Sequence, residues 1–184
     1  MNPLHEDPTR PRLDANGSLT NPIGGPPFVR LNDDVPMRPD KLTASTTYTS
    51  PGFEYLTDEQ RLPARIRGVL RFVPTELRVR HLSVQRMVGH LSSGTQGGHI
   101  VAVSLGGFAS GPNVFPQIGN FNMSAYARLE RGWRAALRDL ATVEVDIALT
   151  INADDPLAPS FVIVTYWEDG EEYQLPLLNQ ASAQ

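Results

Sequence analysis

Apolar residues recur in two rhythms along this chain. From Ser124 to about Leu140, Tyr126, Leu129, Trp133, Leu137 and Leu140 fall at steps of three and four, which predicts an amphipathic helix. Asn122 and Ser124 offer capping side chains at its start. From Val143 to Ile151 the rhythm changes to period two, with Val143, Val145, Ile147, Leu149 and Ile151 apolar and Glu144, Asp146 and Thr150 polar. This is the pattern of a half-buried strand. Phe161 to Trp167 reads as an apolar strand, and Glu168-Asp169-Gly170 turns it into Glu171 to Leu175.

Upstream, Tyr48 to Leu56 is a short strand candidate that ends at the turn Thr57-Asp58-Glu59-Gln60. Ile66 to Val73 and Leu77 to Val88 are β-rich runs with arginine interleaved. In the second, Leu77-Arg78-Val79-Arg80 alternates and places Arg78 and Arg80 on one face. Ile100 to Leu105 reads as a further strand, entered from the loop Ser92–Gly98 and followed by a Gly/Ser/Pro/Asn loop. Residues 1–45 carry Asp7-Pro8, Arg10-Pro11, Asn21-Pro22, Pro26-Pro27, Val35-Pro36 and Arg38-Pro39, each of which disfavours regular structure. They predict a proline-rich, largely irregular arm ahead of one α+β domain over 46–180, built on an antiparallel sheet.

Composition narrows the chemistry. The 184 residues suffice for one core, and none is cysteine, so disulfides, thiolate metal sites and a cysteine nucleophile are excluded. No apolar run approaches the roughly 20 residues of a membrane helix. The N-terminus has no apolar h-region, which points away from a Sec signal and towards a cytoplasmic location or export by a dedicated machine. The net charge of −4 hides an uneven distribution. Between Arg61 and Arg86 seven arginines stand against one acid, Glu76, whereas Asp139 to Glu172 holds nine acids and no lysine or arginine. A polyanion responds to the local field, so the basic stretch is the expected contact for phosphates.

The candidate chemistry sits between Gly97 and Glu130. A histidine between apolar and glycine residues, His99, is followed by Asn113, Gln117 and Asn122, and then by Glu130 on the predicted helix. An imidazole, neutral oxygen donors and a carboxylate on strand, loop and helix are the parts of a metal-assisted hydrolytic site. Each part also has a plain reading: Asn122 as a helix cap, Glu130 as a partner of Arg134 at i+4, and His81 and His90 as surface or packed histidines.

Gly97-Gly98-His99-Ile100-Val101-Ala102, Asn113-Val114-Phe115-Pro116-Gln117, Asn122 and Ala125–Glu130 together resemble the DNA/RNA non-specific endonuclease family, the ββα-metal or His-Me finger nucleases. Tyr55–Asp58, Arg61 and Gln85 to Gly89 resemble flanking signatures of its bacterial toxin-like branch. The resemblance implies a ββα-metal core and an endonuclease that hydrolyses DNA, and RNA as well. His99 would be the general base. Asn122 would bind Mg²⁺, or Mn²⁺ in its place, with Glu130 orienting the metal's waters, and Asn113 and Gln117 would position loop, phosphate or waters. An antibacterial or inter-cell effector with a cognate inhibitor fits the same branch.

Many members of the family carry Asp-Arg-Gly-His where this chain has Gln96-Gly97-Gly98-His99. The arginine that holds the phosphate is then expected among Arg78, Arg80 and Arg86. The alternative is a catalytically inactive module on the same fold that binds nucleic acid or a partner. An α+β binding protein with no nucleic-acid role is the third reading.

Overall fold

The computed structural model describes residues 12–13, 19–20, 28–119, 125–150, 155 and 157–179. Two short strands, β1 (Arg12–Leu13) and β2 (Leu19–Thr20), pair with each other. β3 (Phe28–Arg30) lies parallel to β4 (Thr47–Ser50), so the described end of the proline-rich segment joins the sheet as an edge strand. β5 (Phe53–Thr57) and β6 (Pro63–Val69) follow. The helix α1 (Leu82–Gly89) leads to a separate hairpin of β7 (Thr95–His99) and β8 (Val114–Ile118). After α2 (Ala125–Arg138) come β9 (Val143–Thr150), β10 (Phe161–Glu168) and β11 (Glu171–Leu178).

The result is an α+β fold whose main sheet runs β11-β10-β9-β6-β5-β4-β3, antiparallel except at β3–β4. One face carries the core: Tyr48, Tyr55, Ile66, Val145, Ile147, Val162 and Val164 point towards α2 and the segment 100–115. Trp133 is the pivot of α2, packing edge-on against Tyr126 (6.4 Å, 86°) and Tyr166 (5.8 Å, 78°). Such pairs contribute about 0.5–1.5 kcal/mol each beyond their buried area. No described helix is long and apolar enough to cross a membrane.

The rhythm of α2, β9, β10 and β11 matches the sequence expectation closely, with one correction at the end of α2. Leu140 does not continue the apolar stripe; it is 91% exposed, with φ +67°. Ala141 N–H donates to Ala136 O and Leu140 N–H to Leu137 O. These are the bonds of a Schellman stop, with leucine in the left-handed place that glycine usually takes.

Three other expectations are corrected. Tyr48 to Leu56 is not one strand but the hairpin β4–β5, turned at Pro51-Gly52, where Gly52 has φ +83°. Leu77 to Val88 is not extended: Thr75–Leu77 is a 3₁₀ turn and Leu82–Gly89 is helical. The decisive spacing is Val84 to Val88, which at i and i+4 close on Val114. Arg78 and Arg80 therefore share no strand face. The third correction concerns Ile100 to Leu105. The strand is the glycine-bearing Thr95–His99 just before it, and Ile100, Val101 and Leu105 instead anchor a bend and a 3₁₀ turn in the core.

Candidate active site

β7 and β8 pair with His99 opposite Val114, Gly98 opposite Phe115 and Gly97 opposite Pro116. Strand alternation then gives the hairpin two chemically different faces. Thr95, Gly97 and His99 look towards α1. Gln96 and Gly98 share the other face with Gln117.

Both neutral candidates turn out to be built into the backbone around His99. Asn113 is fully buried; its Oδ1 accepts from Val101 N–H (2.9 Å), and its Nδ2 donates to Val101 O (2.8 Å) and Phe108 O (2.6 Å). It closes the loop 101–113 like a staple, and Gly107 leaves room for it: a Cβ there would stand 2.8 Å from Asn113 Nδ2. Gln117, also fully buried, donates from Nε2 to His99 O (3.1 Å). Its amide lies against Gly98, where a Cβ would meet Gln117 Oε1 at 2.0 Å, so any larger residue before His99 would displace the Gln117 amide. Gln117 Oε1 is buried with no hydrogen-bond partner among the described residues.

The imidazole is held through Nε2, with the Gln85 amide nitrogen over the ring, 3.4 Å from that same Nε2. Nε2 lies 3.0 Å from Ala109 O, and Nδ1 lies 3.0 Å from Gln85 Nε2. A carbonyl oxygen only accepts, so Nε2 carries the proton and Nδ1 the lone pair. Burial pushes His99 below the usual histidine range; the bond to Ala109 opposes this and the nearby charge of His81 adds to it. Burial thus favours the neutral form of the ring.

Glu130 reaches the same turn from α2. It accepts from the backbone N–H of Ala102 and pairs with Arg134 (3.1 Å, i to i+4), which in turn donates to Ser104 Oγ (3.1 Å). Burial raises the Glu130 carboxyl above its ordinary value, while Arg134 and the Ala102 N–H pull it back. Tyr126, one turn earlier on α2, donates its hydroxyl to Ile100 O. Helix and hairpin are therefore pinned together at residues 100–104, directly after His99.

The structure places Asn113 and Gln117 on the backbone around His99, and Glu130 at the turn that follows it. Asn122 lies outside the described residues. The three candidate arginines have separate settings. Arg78 donates to Val73 O (2.9 Å) and stacks over Phe72, Arg80 is exposed on the segment before α1, and Arg86 is exposed on α1. Arg65 and Arg67, from the same basic stretch, fork onto Asp146 of β9 at 2.6–3.0 Å. They lie on the sheet face opposite the core residue Ile66, away from His99. Gly97, at the position of the family's arginine, has no room for a side chain: a Cβ would lie 2.0 Å from Gln85 O.

No group of three or more His, Cys, Asp or Glu among the described residues could hold a metal ion. Glu130 offers a carboxylate beside the turn that follows His99, while Gln117 Oε1 lies on the hairpin face away from the imidazole. A hard oxygen donor of this kind suits a cation that keeps most of its waters, such as Mg²⁺, and not a soft metal.

With this geometry in view, a family model for the DNA/RNA non-specific endonucleases matches residues 44–170, and the chain belongs to that family. It is accordingly an endonuclease-family hydrolase with nucleic acid as the family's substrate. Among solved structures it resembles NucA from Streptococcus agalactiae with magnesium bound (16% identity, TM-score 0.54, 77% of this chain and 76% of that one). It likewise resembles NucA with no metal bound (16%, 0.55, 83% and 76%). These likenesses establish the shared ββα-metal fold. No curated protein matches the chain.

Proposed function

We propose that this protein is a divalent-cation-dependent, sugar-non-specific endonuclease acting on DNA and on RNA, with His99 as its general base. The observation that carries this reading is the imidazole clamped through Nε2–H to Ala109 O, which reserves the Nδ1 lone pair for a proton. Nδ1 would take a proton from water as that water's oxygen bonds to phosphorus and the opposite P–O ester bond breaks. The Ala109 carbonyl would steady the imidazolium so formed. Gln117 holds the His99 backbone, and Asn113 holds the loop that supplies Ala109.

Asn122 would hold Mg²⁺, or Mn²⁺, with Glu130 orienting its waters. The ion supplies charge neutralisation at the phosphate and the leaving oxygen. What supports its presence is the oxygen-donor set, together with the magnesium bound by NucA. The test is plasmid and RNA degradation across Mg²⁺ and Mn²⁺ concentrations. Intact polymers under all conditions, with wild type indistinguishable from His99→Ala, would remove the enzyme reading and favour a binding module.

The pH dependence has a definite sign. A base works unprotonated, and burial holds the His99 pKa below 6.5. The acid limb of kcat/KM is therefore expected to fall at a pH below 6.5, as measured on a fluorescent oligonucleotide. A midpoint above 6.5 contradicts the burial argument.

Arg80 and Arg86 are exposed and near the α1 side of the hairpin, so they remain the proposed phosphate contacts. Arg80→Ala should weaken DNA binding evenly across sequences and flatten the plot of log affinity against log salt by about one unit. An effector role with a cognate inhibitor over the His99 cleft rests on the toxin-branch resemblance. Its test is loss of viability on expression, restored by co-expressing the inhibitor.

A further inference from the structure

The loop 70–81 joins β6 to α1 beside the site. At its start, Arg71 N–H donates to Leu105 O (3.1 Å) and Val73 N–H to Ser104 O (3.0 Å), which fixes it to the turn that follows His99. Ser104 Oγ also accepts from Arg134, the partner of Glu130. At its end the loop passes into α1, whose Gln85 amide lies over the His99 ring. Both ends of the loop are thus anchored to the surroundings of His99.

One side chain in this loop has no packing role. Burying a phenylalanine is among the larger single gains open to a fold, yet Phe72 is 52% exposed and outside the core. Its position is nonetheless fixed. The backbone on either side of it is bonded to residues 104 and 105, and the guanidinium of Arg78 lies over the ring, 6.0 Å from its centroid. Arg78 is held in turn by donating from Nε to Val73 O (2.9 Å). An exposed aromatic ring backed by a cation, in a stretch where Arg71, Arg78 and Arg80 stand against the single acid Glu76, has the chemistry that receives a nucleobase.

Such a base must be unpaired, because within a duplex the faces of each base are covered by its neighbours. We propose that Phe72, backed by Arg78, is a stacking platform for one unpaired base of the substrate, and that it makes the protein favour single-stranded over paired polynucleotide. The proposal rests on the reading of nucleic acid as the substrate and names the form of it. A protein partner would use the loop differently, covering Leu77, which is 69% exposed, along with Phe72. A base needs only the flat ring.

The test measures binding without cleavage, on the full chain in EDTA, with a short fluorescein-labelled single strand and the matching duplex. Phe72→Ala should weaken binding of the single strand roughly 5- to 100-fold, the span of one base stacked on an aromatic side chain, and of the duplex less than about twofold. The slope of log affinity against log salt should stay as in the wild type, since no charge is lost. Phe72→Trp should bind the single strand at least as tightly as the wild type, and Leu77→Ala should match the wild type on both polymers.

An equal loss on both polymers overturns the proposal, as does a Phe72→Trp that binds the single strand as weakly as F72A. A wild type that binds neither polymer overturns it too. Undiminished binding by F72A overturns it and leaves the loop to a protein partner, even where the wild type cleaves plasmid in Mg²⁺ and the nuclease reading holds. A wild type that shows the predicted pattern of binding but cleaves nothing defeats the nuclease reading and supports this one.

Discussion

Replacing His99 with alanine is expected to lower Mg²⁺-dependent plasmid cleavage by about 100- to 10,000-fold, the span that a positioned proton acceptor supplies. The size follows from the surroundings. Asn113, Gln117 and Glu130 are all tied to backbone or to Arg134, and no described hydrogen bond brings a second imidazole to the place of Nδ1. His81 lies near enough to influence His99, but its Nε2 is engaged with Asp33 O (3.1 Å). The fold should survive, because His99 ends β7 and the buried anchors Ile100 and Val101 follow it unchanged. Initial cleavage rates on supercoiled plasmid, alongside thermal unfolding, separate the two effects. A loss of less than about tenfold would move the base elsewhere.

Asn113→Ala should be the most damaging single change to stability among the site residues. It strips three bonds from a side chain with no exposed surface and leaves Val101 N–H, Val101 O and Phe108 O buried without partners. A cost of roughly 2–5 kcal/mol is expected, a fall of about 5–15 °C in Tm for a chain of this size. Asn113→Asp is no rescue. It keeps the acceptor for Val101 N–H but turns a carboxylate oxygen towards two carbonyls. Activity should fall with stability, because the loop stapled by Asn113 carries Ala109, the partner of His99 Nε2. Differential scanning calorimetry measures the first effect, and a Tm within a degree of wild type would deny Asn113 its staple role.

The sequence pattern was legible where one face of an element meets one core. Tyr126, Leu129, Trp133 and Leu137 announce α2, and Val143, Val145 and Ile147 announce β9, because each lies over the same wall of side chains. It misled where packing outweighed propensity. Val79, Val84 and Val88 look like strand residues, yet Val84 and Val88 are the i, i+4 seam of α1. Thr95-Gln96-Gly97-Gly98-His99 has poor strand chemistry, yet it forms β7 because α1 and Gln117 need glycine on its two faces.

Charge was similarly misleading when read along the chain. The basic and acidic stretches are not separate fields: β6 and β9 are neighbours, and Asp146 takes both Arg65 and Arg67. For the site, residue types and spacing singled out His99, Asn113, Gln117, Asn122 and Glu130; of the described ones, Asn113 and Gln117 brace the backbone around His99 and Glu130 joins the turn after it. Spacing could not show that Asn113 and Gln117 bond backbone, that Glu130 keeps Arg134, or that Gln85 faces the imidazole from another element. The one trace of Gln85 in the sequence is its step of four to Gly89 on what proved to be a helix.

The central claim is that a divalent cation works beside His99, and histidine-resolved NMR under Mn²⁺ titration tests it most directly. The His99 ring signals are predicted to broaden at substoichiometric Mn²⁺, before those of His81 and His90, and Asn122→Ala should abolish that order. His99 signals that stay sharp at saturating Mn²⁺, or broadening indifferent to Asn122, would contradict it.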